Sequence, residues 1–138
     1  MRKPTAPAPV AQVAAPQLPA IITENVRNAL MERFVSAFND RDYDALYEML
    51  GPAARTQIDR EKTLSDFRKL AEYFHSVESG AFTHSQLSAQ QGDMQIFTLN
   101  YSVRLSEESE FGTTGRLTIN LAIQGGSYQV FGIRLNSG

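Results

Sequence analysis

Val26, Leu30, Phe34, Ala37 and Phe38 recur at helical spacing and predict one apolar stripe on a helix over about 24–39. Thr23 stands where an N-cap is needed, and Glu24 falls in the first turn, where a negative charge suits the helix dipole. Asn39-Asp40-Arg41-Asp42 interrupts the stripe. Asp42 is placed to cap a second, short helix in which Tyr43, Leu46, Tyr47 and Leu50 share a face, and Gly51-Pro52 ends it. A third helical region over about 53–77 carries Ile58, Leu64, Phe67, Leu70, Ala71, Phe74 and Val77, with a break near Thr63 and a cap at Thr63 or Ser65.

After Ser79-Gly80 the period changes from helical to alternating. The clearest strand runs over about 94–105, with Phe97, Leu99, Tyr101, Val103 and Leu105 on one face. The next, over about 111–123, places Leu117, Ile119, Leu121 and Ile123 together. A weaker strand over about 80–90 precedes them, and a last one follows the hairpin signal Gly125-Gly126. Pairing Gln124 with Ser127 sets Ile123 against Tyr128, Leu121 against Val130 and Ile119 against Gly132. Setting Leu105 against Phe111 aligns Leu99 with Leu117 and Phe97 with Ile119. Both registers put apolar residues on a single face, and a one-residue slip would mix the faces.

Helices in a run followed by strands in a run predict an α+β domain, three N-terminal helices on a curved antiparallel four-stranded meander. Residues 1–21 read separately, as a Pro/Ala-rich linker or disordered tail with prolines at 4, 7, 9, 16 and 19, leaving 22–138 for the folded domain. Of 138 residues, 42% are apolar and 20% charged, enough for one core. With 13 basic and 15 acidic residues and no long Lys/Arg block, nucleic acid is not an expected partner, although a small basic patch assembled by folding is compatible with these counts. The absence of cysteine rules out disulfides, thiolate catalysis and sulfur-ligated metal. No apolar run reaches the roughly 20 residues of a membrane span. Met1-Arg2-Lys3 is followed by prolines in place of an apolar stretch, so no secretory signal is expected within these residues. A periplasmic or secreted location is the expectation, with any signal lying upstream.

The segment Phe34-Val35-Ser36-Ala37-Phe38-Asn39-Asp40-Arg41-Asp42-Tyr43-Asp44-Ala45-Leu46, with the C-terminal stretches Gly115 to Ile123 and Tyr128 to Leu135, resembles the nuclear transport factor 2-like (cystatin-like) superfamily, especially small bacterial members of unknown function. The likeness spans about 22–137. It implies a bent, cone-like sheet wrapped on the first helix, a cavity at the open end, and homodimers formed through the outer sheet face. It does not imply an activity, because the superfamily holds isomerases, hydratases, dehydratases and many binding domains.

On this reading the ligand cavity is lined by Phe34, Phe38, Tyr47, Phe97, Leu99, Tyr101, Leu117, Leu121 and Tyr128. The sheet residues among them include no Asp, Glu, His or Lys for acid/base work. Tyr101, Tyr128 and His84 are the catalytic candidates, with Asp59 or Glu72 as a partner acid, each weighed against an ordinary structural role. His75 suits a helix C-terminus. No metal site or cofactor is expected: Asp40, Asp42 and Asp44 lack the glycine and glutamate of a calcium loop, having Ala45 and Gly51 there. Glu107-Glu108-Ser109-Glu110 reads as a solvated loop. Asn100, Asn120, Phe131 and Ile133, with Leu135 extending the apolar strip, form the expected dimer face. The function expected is a non-catalytic ligand-binding or accessory domain, dimeric, taking a small hydrophobic ligand or a peptide. The alternatives are a small lyase or isomerase, and a structural module of an envelope or secretion assembly.

Overall fold

In the computed structural model, residues 17–137 are described. The tail reading of residues 1–16 lies outside them. Leu18 and Ile21 pack against the core and Ile22 is 2% exposed, so the chain is already anchored before the first helix.

Four helices precede four strands among the described residues: α1 (Glu24–Asn39), α2 (Tyr43–Met49), α3 (Pro52–Arg55), α4 (Arg60–Phe74), β1 (Val77–Gln91), β2 (Met94–Leu105), β3 (Thr114–Gln124) and β4 (Ser127–Ser137). Each longer helix starts on a side chain that takes up an orphan amide. Thr23 Oγ1 accepts from Val26 N at 3.2 Å, Asp42 Oδ1 from Ala45 N at 3.1 Å and Asp59 Oδ2 from Lys62 N at 2.8 Å.

The third helical region divides further upstream than expected. Gly51-Pro52 ends α2 and also opens α3, with proline in the first turn, where its missing N–H costs nothing. Asp59, and neither Thr63 nor Ser65, caps the long segment; Thr63 lies inside it and returns its hydroxyl to Asp59 O at 2.8 Å. The count is therefore four helices and not three, and Val77 opens β1 instead of closing a helix.

The strands form one antiparallel sheet in the order β1-β2-β3-β4. The β3–β4 turn follows the Gly-Gly signal, with Gly125 at φ 61° and Gln124 paired to Ser127, Ile123 to Tyr128 and Leu121 to Val130. Beyond that a bulge at Phe131 moves Gly132 opposite Asn120 and Ile133 opposite Ile119. The expected outer strip is thereby corrected: Phe131 and Ile133 pack against the core and Leu135 is 2% exposed within it. The β2–β3 register also differs, by two residues, with Leu99 opposite Ile119 and Tyr101 opposite Leu117. An even slip preserves the faces, so the buried set is unchanged. Phe111 does not pair in the sheet. It projects from the loop onto the rings of Tyr73 and Phe74, at 5.6 and 5.7 Å between centroids.

The core joins the α1 stripe to this sheet face. Phe34 and Phe38 stack at 5.3 Å and are fully buried with Phe97, Leu99, Leu117, Ile119 and Leu121. Gly80 lets α1 approach β1, since a Cβ there would stand 2.8 Å from Met31 Sδ and 3.0 Å from Val103 Cγ1. At the far edge, Gly51 N donates to Val130 O at 2.8 Å and Ala53 N to Gln129 Oε1 at 3.0 Å, which covers part of β4.

The end of α1 is tied to the start of β1 by one side chain. Asn39 Nδ2 donates to Val77 O at 2.8 Å, and Val77 N donates to Asn39 Oδ1 at 2.9 Å. The amide thus behaves as a short strand across a joint separated by 38 residues in sequence. Asn39→Ala is expected to lower unfolding free energy by about 2 kcal/mol, because it strands a donor and an acceptor on Val77. Urea unfolding measures this, and a loss under roughly 0.5 kcal/mol, the size of a neutral surface change, would count against the joint.

Candidate functional site

Of the residues expected to line a cavity, Phe34, Phe38, Phe97, Leu99, Tyr101, Leu117 and Leu121 are at 0% exposure and Tyr47 at 9%. They meet one another. Tyr128 stands apart at 39% exposure, beside Val26, Leu30 and Arg33 of α1.

Tyr101 is the titratable group embedded in this face. Its hydroxyl donates to Arg27 O at 2.7 Å, and its ring meets Phe82 edge-on at 5.6 Å. Burial pushes the phenol well above the ordinary tyrosine range, and the nearby Arg27 charge offsets this only in part. His84 is opposite Asn100, on the other side of the sheet from Tyr101, which is opposite Phe82. Asp59 is a helix cap and Glu72 is exposed on α4. Tyr101, Tyr128, His84 and these acids therefore do not converge on one point. His75 caps α4 with φ 64°, its N–H donating to Ala71 O. Asn100 and Asn120 lie on the outer face; Thr98 Oγ1 donates to Asn120 Oδ1 at 2.8 Å, and Asn100 Nδ2 reaches His84 O at 3.4 Å. No group of three or more His, Asp or Glu that could hold a metal occurs among the described residues.

Space opens instead between α1 and the first part of β1. A cavity of about 420 Å³ is lined by Glu24, Arg27, Asn28, Met31, Glu32 and Gly80 to Phe82. A second, of about 270 Å³, is lined by Met31, Glu32, Val35, Ser36 and Glu78 to Gly80. Met31, Glu32 and Gly80 belong to both, so the two form one trench with an apolar floor and a polar rim. The trench follows an edge strand, since β1 pairs with β2 alone. Arg27 holds a defined pose in it: the guanidinium lies 4.7 Å over the Phe82 ring and Nη1 donates to Ile22 O at 3.0 Å. Its Nε is buried without a hydrogen-bond partner among the described residues.

The trench residues escaped the sequence reading because their periodicity marks them as the flank of a core stripe. The signal available was local: Arg27 and Met31, four apart on α1, share one side of the helix.

These features define the class as an α+β domain with helices on one face of an antiparallel meander. Among solved structures the chain is similar to a nuclear transport factor 2-like protein from Cytophaga hutchinsonii. The identity is 10%, the match covers 84% of this chain and 98% of that one, and the TM-score is 0.47. No protein-family model matches the chain, and no curated protein matches it. A similarity at that level carries no information on chemistry.

Tyr101→Phe separates structure from catalysis at this position. At neutral pH it is expected to cost about 1 kcal/mol, the net worth of one hydrogen bond. Above about pH 10 the unfolded phenol ionises while the folded one stays protonated, so wild-type stability falls by up to about 1.4 kcal/mol per pH unit. The variant lacks that loss. The gap between the two proteins should therefore close near pH 11 in urea unfolding, and a constant gap would contradict the raised phenol.

Proposed function

We propose that this domain is a non-catalytic binding module whose partner is an extended peptide segment lying in the trench between α1 and β1. The observation that carries the reading is the trench itself, an apolar floor running beside an unpaired strand edge. A peptide laid along β1 gains main-chain hydrogen bonds from that edge and side-chain contacts from Met31, Val35 and Phe82. Beyond Val77, where the Asn39 amide already supplies strand-like bonds, the outward backbone groups of β1 face no other strand among the described residues.

An accessory role fits this better than the lyase or isomerase alternative, whose proton-transfer groups would stand on opposite sides of the sheet. The hydrophobic ligand in the original expectation moves with it, from the sheet interior to the trench floor. Dimerisation through the outer face loses the apolar strip that recommended it, since Phe131, Ile133 and Leu135 pack with the core.

Selection of random 12-residue peptides on the immobilised protein tests the proposal. Selected peptides are expected to slow amide exchange at residues 78–82 and to bind Val35→Arg at least about tenfold more weakly, since a cation is driven into the apolar floor. Thermal melting of that variant should stay near wild type, because Val35 is only half-buried. Peptides that bind Val35→Arg unchanged, or a library that yields none, would remove the trench as the binding site.

A further inference from the structure

The outer sheet face carries a charge pattern that the linear sequence conceals. Arg104, Arg116 and Arg134 belong to β2, β3 and β4. Arg104 is paired with Thr114, Arg116 with Ser102, and Arg134 with Thr118. Each arginine is thus displaced from the next by one strand and one residue pair, about 4.8 Å across and about 7 Å along the sheet. The three form a diagonal, and all are exposed. His84, paired with Asn100, joins this face from β1. Among the described residues, no Asp or Glu is paired with them across the sheet. At the edge, Glu78 Oε1 is 3.9 Å from Arg104 Nε. Arg116 and Arg134 form no ion pair among the described residues.

A cavity of about 410 Å³ lies on this face, lined by Thr83, His84, Tyr101, Ser102, Thr114, Gly115 and Arg116; the Tyr101 phenol itself is held on the helix side by Arg27 O. The polar atoms there can be accounted for one by one. Thr83 Oγ1 donates to Asn100 O at 2.9 Å, so its proton is used. In its 3.1 Å contact with His84 Nδ1 the hydroxyl oxygen must therefore accept, which places a proton on Nδ1 and leaves Nε2 as the ring's remaining polar atom. The side chains of Ser102, Thr114 and Arg116 make no hydrogen bond among the described residues. The cavity therefore gathers a guanidinium fork, two hydroxyls and an imidazole nitrogen that are open to solvent and bond to no other group among the described residues.

We propose that this cavity binds the phosphate group of a small phosphorylated molecule, at a site independent of the trench. A tetrahedral oxyanion accepts hydrogen bonds on several oxygens in different directions, which suits donors drawn from three strands better than a planar carboxylate does. Arg116 takes two oxygens through its fork, and Ser102 and Thr114 donate to the others. His84 Nε2 accepts the proton of a phosphate monoanion or, when protonated, donates to the dianion. Arg104 and Arg134 flank the cavity and raise the local potential for an anion.

Titration of the whole chain with inorganic phosphate, followed by amide NMR shifts at constant ionic strength, tests the assignment. Saturable shifts are expected at His84, Ser102, Thr114, Gly115 and Arg116. Arg116→Gln should weaken binding at least about tenfold, and Arg116→Lys, which keeps the charge and loses the fork, should fall between. Arg33→Gln, on α1, should bind as wild type does. Non-saturating shifts, equal shifts around Arg33, Lys62 and Lys69, or unchanged binding by Arg116→Gln would each overturn the proposal. A failure of peptide binding in the trench would leave these outcomes unaffected.

Discussion

The structure depends on keeping one side of the sheet apolar along its whole length, so that the stacked Phe34–Phe38 pair has a continuous surface to meet. Phe97, Leu99 and Tyr101 on β2 and Leu117, Ile119 and Leu121 on β3 are all at 0% exposure beneath that pair. Burying a large apolar side chain contributes roughly 1.5–3 kcal/mol, so this seam outweighs any single hydrogen bond in the molecule. It also dictates placement elsewhere. Gly80 is small because Met31 must come close, and Asn39 bonds to Val77 because α1 ends where β1 begins.

That constraint explains why so much of the fold was legible. Side-chain parity is a period-two property, and it survives errors of register by an even number of residues. The β2–β3 pairing expected from Leu105 and Phe111 was displaced by two positions, yet every inward residue on the two strands stayed inward. On β4 the error was odd. The bulge at Phe131 inserts a residue and turns Ile133 and Leu135 to the helices, a change that alternation alone cannot announce. The division of the third helical region was missed for a different reason. Asp59, Thr63 and Ser65 are all capable caps, and the choice rests on where α3 leaves the chain after packing against β4.

The candidate surfaces were less legible than the core. The cavity expected inside the sheet draws most of its residues from the seam, where they contact one another. Tyr101 illustrates the difference between a reactive residue type and a reactive environment. Its phenol donates a hydrogen bond to the Arg27 carbonyl, which can neither supply nor take up a proton at working pH. The polar functionality that remains is displaced to the margins of the sheet, to the trench beside β1 and to the outer face.

Those two margins differ in electrostatic character. Glu24, Glu32 and Glu78 line the trench against the single charge of Arg27. Arg104, Arg116 and Arg134 cross the outer face with an acid only at its edge. A formal net charge of −2 averages these regions to near neutrality, which is why the composition argued against an anionic partner. Charge that is dispersed along the chain becomes a pattern only when antiparallel pairing brings residues 104, 116 and 134 onto neighbouring strands.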